Sequence, residues 1–229
     1  MKNIFYSKAA IATSIAILFH TIGLVGILFF KHPFFINATP FNLLLSFALI
    51  IYTQPQKNIF FYLFMLTSIV VGIVVEIIGV NTAMLFGEYS YGKVLGVQIK
   101  NVPLIIGVNW FIVIYCCGIS TQTLLQKALS KMPQDVVTTP KSLKAISVII
   151  DGATIAVFLD WIMEPVAVKL GYWQWKLEII PFYNYVSWFG ISVGLLTIFH
   201  FCNFTKQNKF AIHLLLIQAM FFLLLRTFL

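Results

Sequence analysis

Long apolar runs restrict what this chain can fold into more than any other feature of the sequence. Seven of them are recognisable, over residues 9–30, 39–53, 59–80, 103–126, 145–164, 182–204 and 210–228. A helix needs about 20 apolar residues to cross the hydrocarbon core of a bilayer. The pattern therefore predicts an all-α integral membrane protein, with about seven transmembrane helices in one bundle and residues 1–229 forming a single transmembrane domain.

Composition agrees with a membrane protein and argues against a soluble one. Only 10% of the residues are charged and the mean hydropathy is +0.95, whereas soluble domains carry about 25% charged residues. The net charge of +8 does not indicate a nucleic-acid partner, because the lysines are scattered over short loops. Basic loop residues of this kind orient a membrane protein and meet anionic lipid head groups.

The distribution of basic residues predicts the orientation of the bundle. Of the 15 lysine and arginine residues, nine fall on the side of the N-terminus and six on the other side. The positive-inside rule then places the N-terminus in the cytoplasm. We expect the protein in the cytoplasmic membrane of a bacterium or archaeon.

Two polar and aromatic loops interrupt the apolar runs, GEYSYGKVLGVQIKNVP at residues 87–103 and GYWQWKLEIIP at residues 171–181. Because two spans separate them, both loops are expected on the same face of the membrane. Glu76 precedes the first loop by eleven residues, and Asp160 precedes the second by eleven. Trp110 and Trp188 each follow the proline that ends their loop by seven residues. These matches predict a parallel repeat, in which helices 3–4 correspond to helices 5–6, with a site at the interface.

Four acidic residues fall inside or at the ends of spans, namely Glu76, Asp151, Asp160 and Glu164. Asp151 is nine residues from Asp160, which puts it on the opposite face of its helix. A carboxylate at mid-bilayer costs at least about 2.5–3.5 kcal/mol, so it indicates a functional site by default. Asp160 and Glu164 are four residues apart and share one helix face. The alternative is that these acids reach water, or pair with a loop lysine such as Lys93, Lys169 or Lys176.

Aromatic residues accompany the acids in the two loops and in the helices that follow them. They are interpreted either as an interfacial belt or as walls for a long apolar ligand or a developing cation. The candidate lining residues are Tyr89, Tyr91, Trp110, Tyr172, Trp173, Trp175 and Trp188.

The sequence contains no histidine cluster, no CxxC pair and no glycine-rich phosphate loop. Neither a metal nor another cofactor is therefore expected. Buried carboxylic acids with aromatic walls suit the protonation of a carbon–carbon double bond, because burial keeps an acid neutral until it reacts. The cation would be stabilised by aromatic faces, and a second carboxylate would deprotonate an attacking water.

The same residues resemble a known family, the membrane-embedded carotenoid hydratases of the CruF type, which include the bisanhydrobacterioruberin hydratases. The similarity covers about residues 70–192. Its more specific part is Asp160 followed by EPVA at residues 164–167 and GYWQW at residues 171–175. Weaker matches are Glu76, GEYSY at residues 87–91 and Val102-Pro103. The resemblance implies addition of water to the terminal C1–C2 double bond of an acyclic carotenoid, without a metal or redox cofactor. It implies a membrane-dissolved carotenoid, the bilayer and other enzymes of the carotenoid pathway as partners.

From the residues we expect Asp160 or Glu76 to be the general acid, and Glu164 or Glu88 to position the water. Two alternatives stay open. One is end-group cyclisation, as in lycopene cyclases, where the cation is captured by its own chain. The other is a non-catalytic membrane carrier or transporter of pigment or lipid.

Overall fold

A computed structural model describes residues 7–131 and 140–229, which are mostly helical. Lys2 and the 132–139 part of the fourth predicted loop lie outside the described residues. The helices are α1 (Lys8–Val25), α2 (Pro33–Asn37), α3 (Thr39–Thr53), α4 (Ile59–Thr82), α5 (Ile105–Ser130), α6 (Lys141–Lys169), α7 (Phe182–Phe201) and α8 (Lys209–Phe228). A π-helical turn, Gly26–Phe30, extends α1.

The predicted all-α membrane bundle is confirmed. Six of the described helices, all except α2 and α3, are long and apolar enough to cross a membrane. The second predicted span, 39–53, coincides with α3. Its 15 residues rise only about 22 Å at 1.5 Å per residue, which is less than the roughly 30 Å of a hydrocarbon core. The short helix α2 precedes it with only Ala38 between them.

Helix α5 forms the centre of the bundle. It packs against α3, α4, α6, α7 and α8, and nearly every residue from 105 to 121 is buried. A helix that is apolar on all sides is expected to be enclosed. Around it, α1 packs on α8 and α6 packs on α7.

Two short β-strands from the two polar loops pair across one end of the bundle. Strand β1 (Tyr89–Tyr91) runs antiparallel to β4 (Trp173–Trp175), with Tyr89 opposite Trp175 and Tyr91 opposite Trp173. Strands β2 (Gln98–Ile99) and β3 (Val102–Pro103) form a separate hairpin. We call the β1–β4 pair the aromatic ribbon. Its existence confirms that the two loops lie on the same face of the bundle.

Alternation along the ribbon directs its aromatic side chains into the protein. Successive residues of a strand point to opposite faces. In β4, Trp173 and Trp175 are buried while Gln174 is exposed, and Ser90 of β1 is likewise exposed. The ribbon therefore has an aromatic inner face, directed at α4 and α6, and a polar outer face.

The predicted orientation leads to a labelling experiment. In cells that express a Cys202→Ser background, the Lys93→Cys variant should react with a membrane-impermeant maleimide added outside. The Lys127→Cys variant should react only after permeabilisation. Lys93 and Lys127 are both exposed at opposite ends of the bundle, and Cys116 and Cys117 are buried. The reverse labelling pattern would place the N-terminus outside the cytoplasm.

Candidate active site

Glu76, near the end of α4, accepts three hydrogen bonds from aromatic side chains. The Tyr89 and Tyr91 hydroxyls donate to Oε2 at 2.5 and 2.7 Å, and the Trp110 indole donates to Oε1 at 3.0 Å. Only 5% of Glu76 is exposed. An ionised carboxylate only accepts hydrogen bonds, so three converging donors match its chemistry.

Glycines on the same helix let these aromatic groups approach. A Cβ atom on Gly72 would lie 2.6 Å from the Trp110 side chain, and one on Gly79 would lie 2.9 Å from the Tyr89 hydroxyl. Both separations are shorter than any ordinary contact. The absence of a side chain at Gly72 and Gly79 therefore leaves the space that Trp110 and Tyr89 need to reach Glu76.

Glu164, on α6, is held by the other strand of the ribbon. The indoles of Trp173 and Trp175 both donate to its Oε2, at 3.0 and 2.9 Å. Among the described residues, its Oε1 has no hydrogen-bond donor. Glu164 is 3% exposed, so this second oxygen is available inside the protein.

Asp160 lies one helical turn before Glu164 and is 1% exposed. The amide of Asn184, at the start of α7, donates to its Oδ2 at 3.1 Å. Its Oδ1 is buried and has no partner among the described residues.

A small cavity, which we call the acid cavity, is lined by both Glu76 and Glu164. Its volume of about 20 Å³ exceeds the roughly 10–15 Å³ that a water molecule requires. The cavity has polar partners for such a water on two sides. It is lined by Glu76, Phe86, Tyr89, Tyr91, Glu164, Trp173, Trp175, Asn184 and Trp188.

The structure brings most of the predicted site residues together but arranges the acids differently from the sequence pattern. Glu164, and not Asp160, lines the acid cavity together with Glu76. Trp110 and Trp188, which occupy matching positions of the predicted repeat, stack with ring centroids 3.9 Å apart and planes 12° apart. Asn184 and Phe86 line the cavity although the sequence analysis did not single them out.

Four predicted residues do not line the acid cavity. Trp110 and Asp160 each form a hydrogen bond with a residue that does, whereas Glu88 and Tyr172 lie farther away. Glu88 is exposed and forms an ion pair with Lys176 at 2.6 Å, so it is on the outer side of the ribbon. Tyr172 is buried, and its hydroxyl is 2.7 Å from the Thr39 hydroxyl, beside a different pocket. Neither side chain contributes to the walls between Glu76 and Glu164.

Pairing with lysines does not explain the buried acids. In residues 7–131 and 140–229 the one ion pair within 4.0 Å is Lys176–Glu88, which is at the surface. Aromatic and amide donors take the place of cations around the three buried carboxyl groups. The alternative in which these acids pair with Lys93, Lys169 or Lys176 is therefore wrong.

The tyrosines of the ribbon are fixed as donors. Burial, reinforced by the neighbouring Glu76 carboxylate, raises the pKa of Tyr89 and of Tyr91 well above the ordinary tyrosine value. Both phenols therefore stay protonated at any physiological pH, and Glu76 keeps these two hydrogen bonds throughout that range.

Comparison with known proteins identifies one family. The sequence model of a family described as "Carotenoid biosynthesis protein" matches residues 38–229. No curated protein and no solved structure matches the chain. The matched region starts just before α3 and includes every helix and strand that contributes to the acid cavity.

The packing of Trp110 against α4 generates a stability prediction. Gly72→Ala should lower the free energy of unfolding by about 1–3 kcal/mol, as overpacked cores do, because its methyl group would displace Trp110 from Glu76. The matched control is Gly190→Ala, since a Cβ there has no neighbour within 4 Å. Thermal unfolding in detergent measures both, and equal midpoints for the two variants would contradict the close contact.

Proposed function

Because the chain belongs to the carotenoid biosynthesis family that matches residues 38–229, we propose that it is an enzyme that hydrates an acyclic carotenoid. The reaction adds water across the terminal C1–C2 double bond and leaves a tertiary alcohol. The observation that carries this proposal is the acid cavity, which has room for one water molecule and is lined by two buried carboxyl groups.

Glu164 is assigned as the general acid because its surroundings suit a neutral carboxyl group. In a neutral acid, the carbonyl oxygen accepts two hydrogen bonds and the hydroxyl oxygen donates one. The two indole donors on Oε2 saturate a carbonyl oxygen, which leaves Oε1 to carry the proton. Glu164 thus presents an O–H bond to C2 of the double bond.

Glu76 is assigned as the base. The donors from Tyr89, Tyr91 and Trp110 support a negative charge in a water-poor site. Its Oε2 accepts two of these bonds, whereas Oε1 accepts only the one from Trp110. Oε1 therefore retains a lone pair that orients a water molecule and then receives its proton.

The atoms and charges balance over one cycle. The Glu164 proton forms the new C–H bond at C2 and leaves a tertiary cation at C1. Water attacks C1, and Glu76 removes the proton from the oxonium oxygen. A second water entering between the two acids returns the proton from Glu76 to Glu164, so neither a cofactor nor an external acid is consumed.

Aromatic rings stabilise the cation during this step. Cation–π attraction amounts to about 2 kcal/mol or more when both partners are desolvated. The rings of Tyr89, Trp175 and Trp188 line the cavity beside the acids, and the negative charge of Glu76 adds to their effect. Asp160, which does not line the cavity, is assigned a positioning role through Asn184.

The end group of a carotenoid is larger than the acid cavity, so binding requires an aromatic side chain to move. Tyr89, Tyr91, Trp173 and Trp175 each donate a hydrogen bond to a buried carboxyl group. Trp188 is held by stacking on Trp110, whereas Phe86 has neither a polar anchor nor a stacked partner in the described part of the chain and lies in the segment between α4 and the ribbon. We assign Phe86 as the side chain that the entering end group displaces.

Product mass tests the reaction. Cells that accumulate lycopene and express this chain should yield a pigment heavier by one water for each end that reacts. An unchanged mass with a changed absorption spectrum would indicate cyclisation instead, because that reaction captures the cation without water. An unaltered pigment profile, with the protein present in the membrane, would overturn both enzymatic assignments.

Amide substitutions test the roles of the acids. Glu164→Gln and Glu76→Gln should each lower hydrated pigment by roughly 10²- to 10⁴-fold, the usual contribution of a general acid or base. Asp160→Asn should retain more activity than either, since an amide oxygen at this position still accepts from Asn184.

The control for these substitutions is Glu178→Gln, which makes the same chemical change at an exposed loop residue. It should leave the yield unchanged, as should Glu88→Gln at the surface ion pair. The assignment fails if Asp160→Asn abolishes hydration while Glu164→Gln preserves it.

A further inference from the structure

A second and much larger pocket lies between α1, α3 and α8. Its volume is about 680 Å³, within the roughly 300–1,000 Å³ of small-molecule sites. Phe34 and Phe41 at its edge are 65% and 74% exposed, so this lateral pocket opens toward the bilayer. Its lining is predominantly apolar, and Tyr172 forms part of its wall.

The polar residues that line this pocket include His20, Asn42 and Gln218, besides Asn37 and the hydrogen-bonded pair Thr39 and Tyr172. The Nδ1 of His20 is 2.8 Å from the Ala16 carbonyl oxygen, so Nδ1 carries the hydrogen and Nε2 is an acceptor. The Asn42 amide nitrogen approaches that Nε2 at 3.4 Å. This contact fixes the orientation of the Asn42 amide and turns its oxygen away from His20.

Two acceptor oxygens, on side chains that line the lateral pocket, lack a donor. The Asn42 Oδ1 and the Gln218 Oε1 are buried and have no partner among the described residues, and Gln218 is only 5% exposed. An unsatisfied buried polar group costs about 1–3 kcal/mol. A ligand that brings a hydrogen-bond donor into the pocket would remove this cost.

The charge of the lining narrows the class of ligand. The described residues that form the pocket include no lysine, arginine, aspartate or glutamate. Phospholipid head groups and fatty-acid carboxylates need a cation or several donors, which the pocket does not supply. A neutral hydroxyl group on an apolar chain matches both the acceptors and the apolar walls.

We propose that the lateral pocket is a separate binding site for an isoprenoid chain that carries a hydroxyl group. The hydroxyl donates to Gln218 or Asn42, and the chain extends past Phe34 and Phe41 into the bilayer. The requirement for a hydroxyl follows from the pocket itself, whereas the isoprenoid nature of the chain rests on the proposed function. The hydrated carotenoid is a ligand of this class.

Competition binding tests the proposal without depending on catalysis. The full-length protein in phosphatidylcholine nanodiscs is incubated with radiolabelled geranylgeraniol. Unlabelled geranylgeraniol, the hydrocarbon of the same skeleton and hexadecanol serve as competitors. The alcohol should compete about five- to tenfold better than the hydrocarbon, as one net hydrogen bond of about 1–1.4 kcal/mol implies, and better than the linear alcohol.

Two variants locate the binding. Gln218→Leu should abolish the preference for alcohol over hydrocarbon, whereas Gln126→Leu, the same change at an exposed residue of α5, should keep it. Gly23→Leu, which extends a side chain into the pocket from α1, should weaken binding of both competitors.

Each contrary result has a defined meaning. Equal competition by alcohol and hydrocarbon, or an unchanged preference in Gln218→Leu, overturns the site. If hexadecanol competes as well as geranylgeraniol, the pocket is not selective for an isoprenoid chain. If the protein binds the alcohol selectively but does not hydrate lycopene, the binding site is supported and the proposed function is wrong. If it hydrates lycopene but shows no preference for the alcohol, the proposed function is supported and the binding site is wrong.

Discussion

Carboxyl groups buried in a membrane protein require hydrogen-bond donors, and the organisation of this protein follows from that requirement. Glu76 and Glu164 receive five donors between them, all from aromatic side chains. Four of the five come from the ribbon formed by β1 and β4. Without that pairing, both carboxyl groups would lose hydrogen-bond donors. An unsatisfied carboxyl group costs far more free energy inside a membrane protein than in water.

The aromatic donors satisfy a structural and a chemical need at the same time. Their polar atoms hold the carboxyl groups, and their rings enclose the acid cavity. The aromatic side chains that stabilise Glu76 and Glu164 inside the bundle would also surround a carbocation formed beside these acids. Unlike a lysine or arginine partner, an aromatic donor adds no positive charge that would repel such a cation.

Sequence spacing located the two loops, the acids and the stacked tryptophans, but it matched Glu76 with the wrong residue of α6. The ribbon donors follow Glu76 by 13 and 15 residues and follow Glu164 by 9 and 11. The difference of four residues is one helical turn. Most of it lies in the linkers: Tyr89 follows Thr82, the last residue of α4, by seven residues, whereas Trp173 follows Lys169, the last residue of α6, by four. Helix ends are set by local backbone geometry that spacing does not reveal. Glu88 and Tyr172, in contrast, each precede an inward-facing aromatic residue, so strand alternation would have placed them outside the cavity.

The proposed reaction requires that Glu164 carry the proton and Glu76 carry the negative charge when no substrate is bound. Infrared difference spectroscopy of the carboxyl carbonyl stretch, in membranes that contain the wild type or a single amide variant, measures this directly. A protonated-acid band that disappears in Glu164→Gln and persists in Glu76→Gln is the predicted result. A band that disappears only in Glu76→Gln would reverse the two roles and contradict the mechanism.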